Sequence, residues 1–212
     1  MFDLDGTLLD TAPELADAVN DTLAALGLGT VEPHRVRDWI GNGVRALLAR
    51  ALAEAGGEPA DAVRLDRALD LFAARYCARC GSNSRPYPGV EALLRQWHGQ
   101  GTRLALVTNK DGRFTDLLLD RHGLARWFGR VIAGDTLARK KPAPDGILDC
   151  LAHFGTPASR ALFIGDSAID VASARNAGVP VWVRAGGYNL GQPIGDCQPD
   201  RVFHDYAELS GD

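Results

Sequence analysis

Apolar residues fall along this chain in two different rhythms. From about residue 12 to about residue 85 they recur every three or four positions. Leu15, Val19, Leu23 and Leu26 share one helical face, as do Leu65, Leu69, Phe72 and Tyr76. Glycines at 27, 29, 56 and 57 break this block into separate helices, and no stretch in it reads as a strand. After "RPYPGV" the rhythm changes. Short apolar or β-branched runs, "RLALVT", "RVIAG", "ALFIGD" and "VPVWV", alternate with the helical patterns "FTDLLLDRHG", "PDGILDCLAHFG" and "DSAIDVASARNAG". Strands alternating with helices predict a parallel sheet joined by right-handed crossovers. The opening "MFDLDG" reads as one more strand, running out into a turn at Gly6 with Asp3 and Asp5 on one face of its end. That strand has no helical partner except across the helical block, so the block is an insertion between the first strand and the rest of one α/β domain.

The polar residues at the strand ends carry the chemistry, because ligands of open parallel sheets bind beyond the carboxyl ends of the strands. The opening strand ends in Asp3 and Asp5, the next in Thr108 and Asn109, and a later one in Asp166. Lys141, in "RKKPAP", stands before the helix that starts near Ala143, and Asp166 and Asp170 share one face of a helix's first turn. Carboxylates held this close repel each other unless a cation intervenes or one keeps a proton. Clustered hard oxygen ligands suit Mg²⁺, which takes one or two carboxylates together with water and substrate phosphate. A lysine and a hydroxyl beside that ion are what a phosphoryl group needs to spread its charge in the transition state. An aspartate can then be the nucleophile, and a second, Asp5, can supply the proton to the departing alcohol.

Composition narrows the partners. The 212 residues, 46% hydrophobic, suffice for one large α/β domain or a core with a smaller one, and a net charge of −4 gives no reason to expect nucleic acid or an anionic membrane. No apolar run approaches a bilayer span and the start lacks a signal-peptide pattern, so the cytoplasm is the default location. Cys77, Cys80, Cys150 and Cys197 are too scattered for a disulfide framework and read as reduced, structural cysteines, including the C-x-x-C at 77–80. "GNGVRA" at 41–46 matches a dinucleotide-binding fingerprint, but no strand precedes it, so it reads as a loop and helix start. The histidines at 34, 98, 122, 153 and 204 form no ligand pattern and read as helix surface.

"DLDGT" at 3–7, "VTN" at 107–109, "KKPAP" at 140–144 and "GDSAID" at 165–170 resemble the four ordered motifs of the haloacid dehalogenase-like hydrolase superfamily. "WIGNGVRALLARAL", "GGYNLGQPI" and "QPD" look like its phosphoglycolate phosphatase subfamily in particular. The resemblance implies a Rossmann-like parallel sheet core, residues 1–12 and 86–212, with an inserted all-helical cap domain, residues 13–85. It implies Asp3 as nucleophile and Asp5 as general acid, then base. Thr108 and Lys141 would hold the phosphoryl oxygens, with Asn109 among the substrate contacts. Mg²⁺ would be held by Asp3, the Asp5 backbone carbonyl and Asp166, with Asp170 in support. The substrate expected is a small phosphate monoester, 2-phosphoglycolate first, its carboxylate met from the cap by Gly41, Asn42, Gly43 and Arg45. A phosphatase for another sugar phosphate, a phosphomutase and a non-catalytic binding protein on the same fold remain open, as do monomer and homodimer.

Only Met1 and Phe2 precede Asp3, whereas a strand inside a sheet runs about five or six residues. Members of the superfamily generally carry several apolar residues there. The expectation is that the natural polypeptide begins several residues upstream and that this numbering starts at an internal methionine or a trimmed end.

Overall fold

The first three residues lie in the middle of the sheet. The computed structural model describes Met1–Ser210. Its elements are β1 (Leu9–Asp10), α1 (Ala12–Ala25), α2 (Pro33–Trp39), α3 (Val44–Gly56), α4 (Ala62–Arg79), β2 (Arg85–Pro86), α5 (Val90–Gly99), β3 (Ala105–Val107), α6 (Gly112–Arg121), β4 (Arg130–Ile132), α7 (Asp145–Phe154), β5 (Phe163–Gly165), α8 (Ala168–Asn176), β6 (Val181–Arg184) and β7 (Arg201–Phe203). β3 pairs with β4, and β5 with β6 and then β7, all parallel. The opening segment joins the two groups. Phe2 N donates to Ala105 O and Phe2 O accepts from Val107 N, while Asp3 N donates to Ile164 O and Met1 O accepts from Ile164 N. Spatial order is therefore β4, β3, the opening segment, β5, β6, β7. Phe2 is fully buried, its ring against Trp97 and Phe128, and the Met1 amine donates to Leu162 O.

Alternation along the strands separates two apolar layers, as the two-residue repeat requires. Leu104, Leu106 and Ile164 join the layer with Leu93, Leu94, Phe114 and Leu118 of α5 and α6. Ala105, Val107 and Phe163 join the other, with Ile147 of α7 and Val171 and Ala174 of α8. The predicted parallel sheet with helices on both faces is thus the observed architecture. β7 was not anticipated from the pattern, and neither was the two-residue antiparallel pair β1–β2, which sets Leu9 against Pro86 and Asp10 against Arg85. That pair clamps together the two connections to the helical block.

The block consists of α1–α4. α1 packs on α4, α2 and α3, and α3 on α4. Val19 and Leu23 of α1, Leu48 and Leu52 of α3 and Phe72 and Tyr76 of α4 are all fully buried in it. Truncating a buried aromatic such as Phe72 to alanine costs about 3–5 kcal/mol, so this packing accounts for much of the block's stability. No helix among the described residues is long and apolar enough to cross a membrane.

Candidate active site

The carboxyl ends of the central strands bring Asp3, Thr108 and Asp166 to one rim, and Lys141 reaches it from the loop before α7. Gly6 turns the chain away from Asp3 and Asp5 at φ +83°, and a methyl group there would collide with the Asp166 carboxylate. Gly187 is equally constrained, because a Cβ at that position would also overlap the Asp166 side chain.

Asp166 is held at both oxygens. Thr7 Oγ1 donates to Oδ1 at 2.6 Å and Tyr188 N to Oδ2 at 2.5 Å. Asp170 closes a capping box at the start of α8: its Oδ2 accepts from Asp166 N, Ser167 N and Ser167 Oγ. Its Oδ1 accepts from Lys141 Nζ at 2.7 Å, and the same ammonium stands 2.8 Å from Asp3 Oδ1. That Asp3 oxygen is buried and in ion-pair contact, yet no donor is aligned on it as a hydrogen bond.

The electrostatics show a shortage of positive charge. Asp3, Asp166 and Asp170 are buried, with one carboxylate oxygen of each inside 4.8 Å of the others. Lys141 is the ammonium that pairs with this cluster, so full ionisation leaves two negative charges unmatched. Burial pushes the Asp3 carboxyl up to about 7, against the pull of Lys141 and with Asp170 and Asp5 adding repulsion. Asp166 is raised well above the carboxylate range by burial and then by Asp170 and Asp3. Burial alone would lower Lys141, but Asp170 and Asp3 outweigh it and raise the ammonium's pKa. A divalent cation fits this deficit, and hard oxygen donors suit it. Asp3 and Asp166 have the freer oxygens. Asp170 is saturated by the backbone, Ser167 and Lys141, so it suits the supporting part better than direct ligation.

Asp5 sits beside this group with other partners. Thr11 Oγ1 donates to its Oδ1 at 2.6 Å, and Lys110 Nζ donates to Oδ1 and Oδ2 at 3.0 and 3.1 Å. Lys110 is a functional candidate that sequence reasoning missed. It follows "VTN" directly, two residues beyond Thr108, and that strand-end spacing was the available signal. Tyr188 was missed as well. Its phenol oxygen accepts from Thr11 N and Ala12 N at the start of α1 and donates to Asp10 Oδ1.

The helical block closes over the rim. Asn109 Nδ2 donates to Gly41 O and to Lys141 O, both at 3.0 Å, and Lys140 Nζ donates to Asn42 O. Beneath lies a cavity of about 40 Å³ with Asp3, Asp5, Thr108, Asn109 and Lys110 on the sheet side. Gly41, Gly43 and the apolar side chains of Leu15, Ile40, Val44 and Leu47 face them. Of the expected cap contacts, Gly41 and Gly43 reach the cavity. Arg45 does not: it is exposed and pairs with Asp66 Oδ1 across the surface, because its place in the first turn of α3 turns it from the face that carries Val44 and Leu47. Asn42 also lies outside the lining, with its carbonyl occupied by Lys140. His122, expected on a helix surface, is instead partly buried at the end of α6, where its Nε2 meets Ser84 Oγ at 2.8 Å and burial lowers its pKa. The four cysteines are free thiols.

Known proteins resemble this chain in sequence and fold. A family model described as haloacid dehalogenase-like hydrolase matches residues 1–183. A phosphoglycolate phosphatase of Pseudomonas fluorescens is 43% identical over 212 residues, covering 99% of this chain and 77% of that protein. One from Nitrosococcus oceani is 40% identical over 210 residues, covering 99% of this chain and 93% of its own. Among solved structures, a predicted phosphoglycolate phosphatase from Haemophilus somnus superposes with a TM-score of 0.94 at 33% identity, over 98% of this chain and 94% of that one. CbbY from Rhodobacter sphaeroides, in complex with phosphate, superposes with a TM-score of 0.83 at 28% identity, over 98% and 94% of the two chains.

Proposed function

The chain belongs to the haloacid dehalogenase-like hydrolase family, and on that footing we propose that it hydrolyses a small phosphate monoester, 2-phosphoglycolate first among the candidates. The observation that carries this reading is the buried trio of Asp3, Asp166 and Asp170 with Lys141 between two of its members and two negative charges still unmatched. Asp3, Asp166 and the Asp5 main-chain carbonyl would hold Mg²⁺, with Asp170 in support. When bound, the cation offsets the carboxylate repulsion and the charge on the transferred phosphoryl group.

Asp3 attacks phosphorus, and the bond from phosphorus to the alcohol oxygen breaks as Asp5 gives that oxygen a proton. The product alcohol leaves an aspartyl-phosphate on Asp3. Asp5 then takes a proton from the water that attacks the phosphorus, which releases inorganic phosphate and restores the Asp3 carboxylate. Thr108 Oγ1 and the Lys141 ammonium hold the phosphoryl oxygens, and Asn109 ties the rim to the helical block. Residues 13–85 act as a cap on the core of residues 1–12 and 86–212, and its closure keeps bulk water from the intermediate.

The choice of substrate leans on the relatives named phosphoglycolate phosphatase and on the cap that covers the rim. A second reading, a sugar phosphate, is favoured by the likeness to CbbY, a variant of which was solved with xylulose-(1,5)bisphosphate. Phosphate release from a panel of monoesters with Mg²⁺ separates the two. Highest kcat/KM for 2-phosphoglycolate supports the first reading; much higher kcat/KM for a sugar phosphate replaces it with the second.

A further inference from the structure

Lys110 has no part in the scheme above, yet it is built into the cavity. It stands just past β3, with its side chain 6% exposed. Its ammonium donates to both oxygens of Asp5 and lies 4.9 Å from the centre of the Tyr76 ring. Tyr76 is fixed in turn: its hydroxyl donates to Glu14 Oε1, and the Glu14 carboxylate also accepts from Gly81 N, Asn83 N and Ser84 N. The charge therefore sits on a rigid support made by both halves of the molecule.

An ammonium has three N–H donors, and a ring face attracts the cation without accepting a full hydrogen bond. With Asp5 taking two donors, Lys110 keeps capacity for one more acceptor. No other basic side chain among the described residues lines the cavity. Lys141 is held between Asp3 and Asp170, Lys140 is bound to Asn42 O, and Arg45 is on the surface with Asp66. The cap wall of Leu15, Ile40, Val44 and Leu47 has no side-chain donor to give.

We propose that Lys110 is the specificity-determining residue that binds an anionic group, a carboxylate, on the part of the substrate remote from its phosphate. The proposal rests on the phosphomonoester reading of the site and adds to it the anchor that Arg45 does not provide. A carboxylate entering the cavity meets a cation already fixed in place and shielded from water, where the attraction is strong and little reorganisation is needed. An ester of the same size without the carboxylate finds only an apolar wall and leaves the third donor unused. The charge on the substrate, rather than its bulk alone, becomes a condition for binding.

The test compares kcat/KM, with Mg²⁺, for 2-phosphoglycolate and for ethyl phosphate, in which a methyl replaces the carboxylate. The wild type is expected to prefer 2-phosphoglycolate by about 10²-fold or more. In Lys110→Met that ratio is expected to fall to within about threefold, chiefly through KM for 2-phosphoglycolate, while Lys110→Arg keeps a clear preference. Lys110→Gln is made in parallel, and whichever neutral variant melts within a few degrees of the wild type carries the comparison. A folded neutral variant that keeps the full preference overturns the assignment. A wild type that hydrolyses both esters equally well removes the carboxylate subsite but leaves the phosphatase reading standing. A wild type that hydrolyses neither ester, nor any other monoester, removes both.

Discussion

Two buried acidic groups in this protein look alike by exposure and differ entirely in their partners. Glu14, in α1, is fully buried, and its carboxylate accepts from three backbone amides of the segment 81–84 and from the Tyr76 hydroxyl. It fastens the outgoing connection of the helical block to the returning one, and nothing about it is left wanting. Asp3, Asp166 and Asp170 are buried too, but Lys141 pairs with Asp3 and Asp170 alone, and one Asp3 oxygen has no aligned donor. A buried charge with all its hydrogen bonds made is a structural device, whereas a buried cluster short of positive charge is organised for something it has yet to bind. Burial alone does not distinguish the two, but the crowding of three carboxylates around one ammonium, with an Asp3 oxygen left without an aligned donor, does.

Breaking the two groups should have opposite consequences. Asp3→Asn removes the proposed nucleophile and relieves repulsion, so phosphate release should fall to background while the melting temperature holds or rises. Near wild-type turnover would assign the attack elsewhere. Lys141→Ala should lower kcat by about 10²-fold or more, as the loss of one preorganised donor to a phosphoryl oxygen does. A change below about threefold takes it away from the reacting group. Glu14→Ala should act on stability, because it strands several buried donors at once. A loss on the order of 3 kcal/mol, or roughly 10 °C in a chain of this size, is expected in thermal melts, with activity per folded molecule largely kept.

A smaller effect follows from the raised carboxyls. In the folded chain Asp3 titrates near 7 and Asp166 is raised too, both above their unfolded values. The folded state therefore binds more protons than the unfolded state between about pH 4 and 7. The resulting stability is complete at low pH and is lost as the pH rises through about 7. Metal-stripped protein should melt several degrees lower near pH 8 than near pH 5.5, and excess Mg²⁺ should remove most of the difference. Equal slopes with and without the cation would separate the cluster from metal binding. The smallest effect belongs to Arg45→Ala. Its pair with Asp66 is exposed, worth about 0–1 kcal/mol, and KM should stay within about twofold.

The same contrast between local pattern and distant partners governs how much of the fold and the site is legible in the sequence. Side chains fixed by their place at the end of a strand were legible: Thr108 and Asp166 follow apolar runs and Asp3 follows Met1 and Phe2, so the sheet alone brings them to one rim. The fold was legible for the same reason, since strand and helix periods differ. β7 was not, because "RVF" is too short to show alternation and only its pairing with β6 defines it. β1 and β2 have two residues each and exist only as a pair between distant segments. Glu14, Tyr188 and Lys110 depend on partners 67, 178 and 105 positions away, and no local pattern announces such contacts. The surface position of Arg45, paired with Asp66, was hidden for a related reason. A glycine-flanked loop shows where a helix begins, but the packing of α3 decides which of its first residues faces inward.

The most direct measurement is a calorimetric titration of Mg²⁺ into metal-free wild type, Asp166→Asn and Glu14→Gln. If the under-partnered cluster is the cation site and Glu14 is only structural, the wild type and Glu14→Gln each bind one ion per chain and Asp166→Asn does not. No binding by the wild type, or the same binding by Asp166→Asn, would contradict the distinction drawn between the two acidic groups.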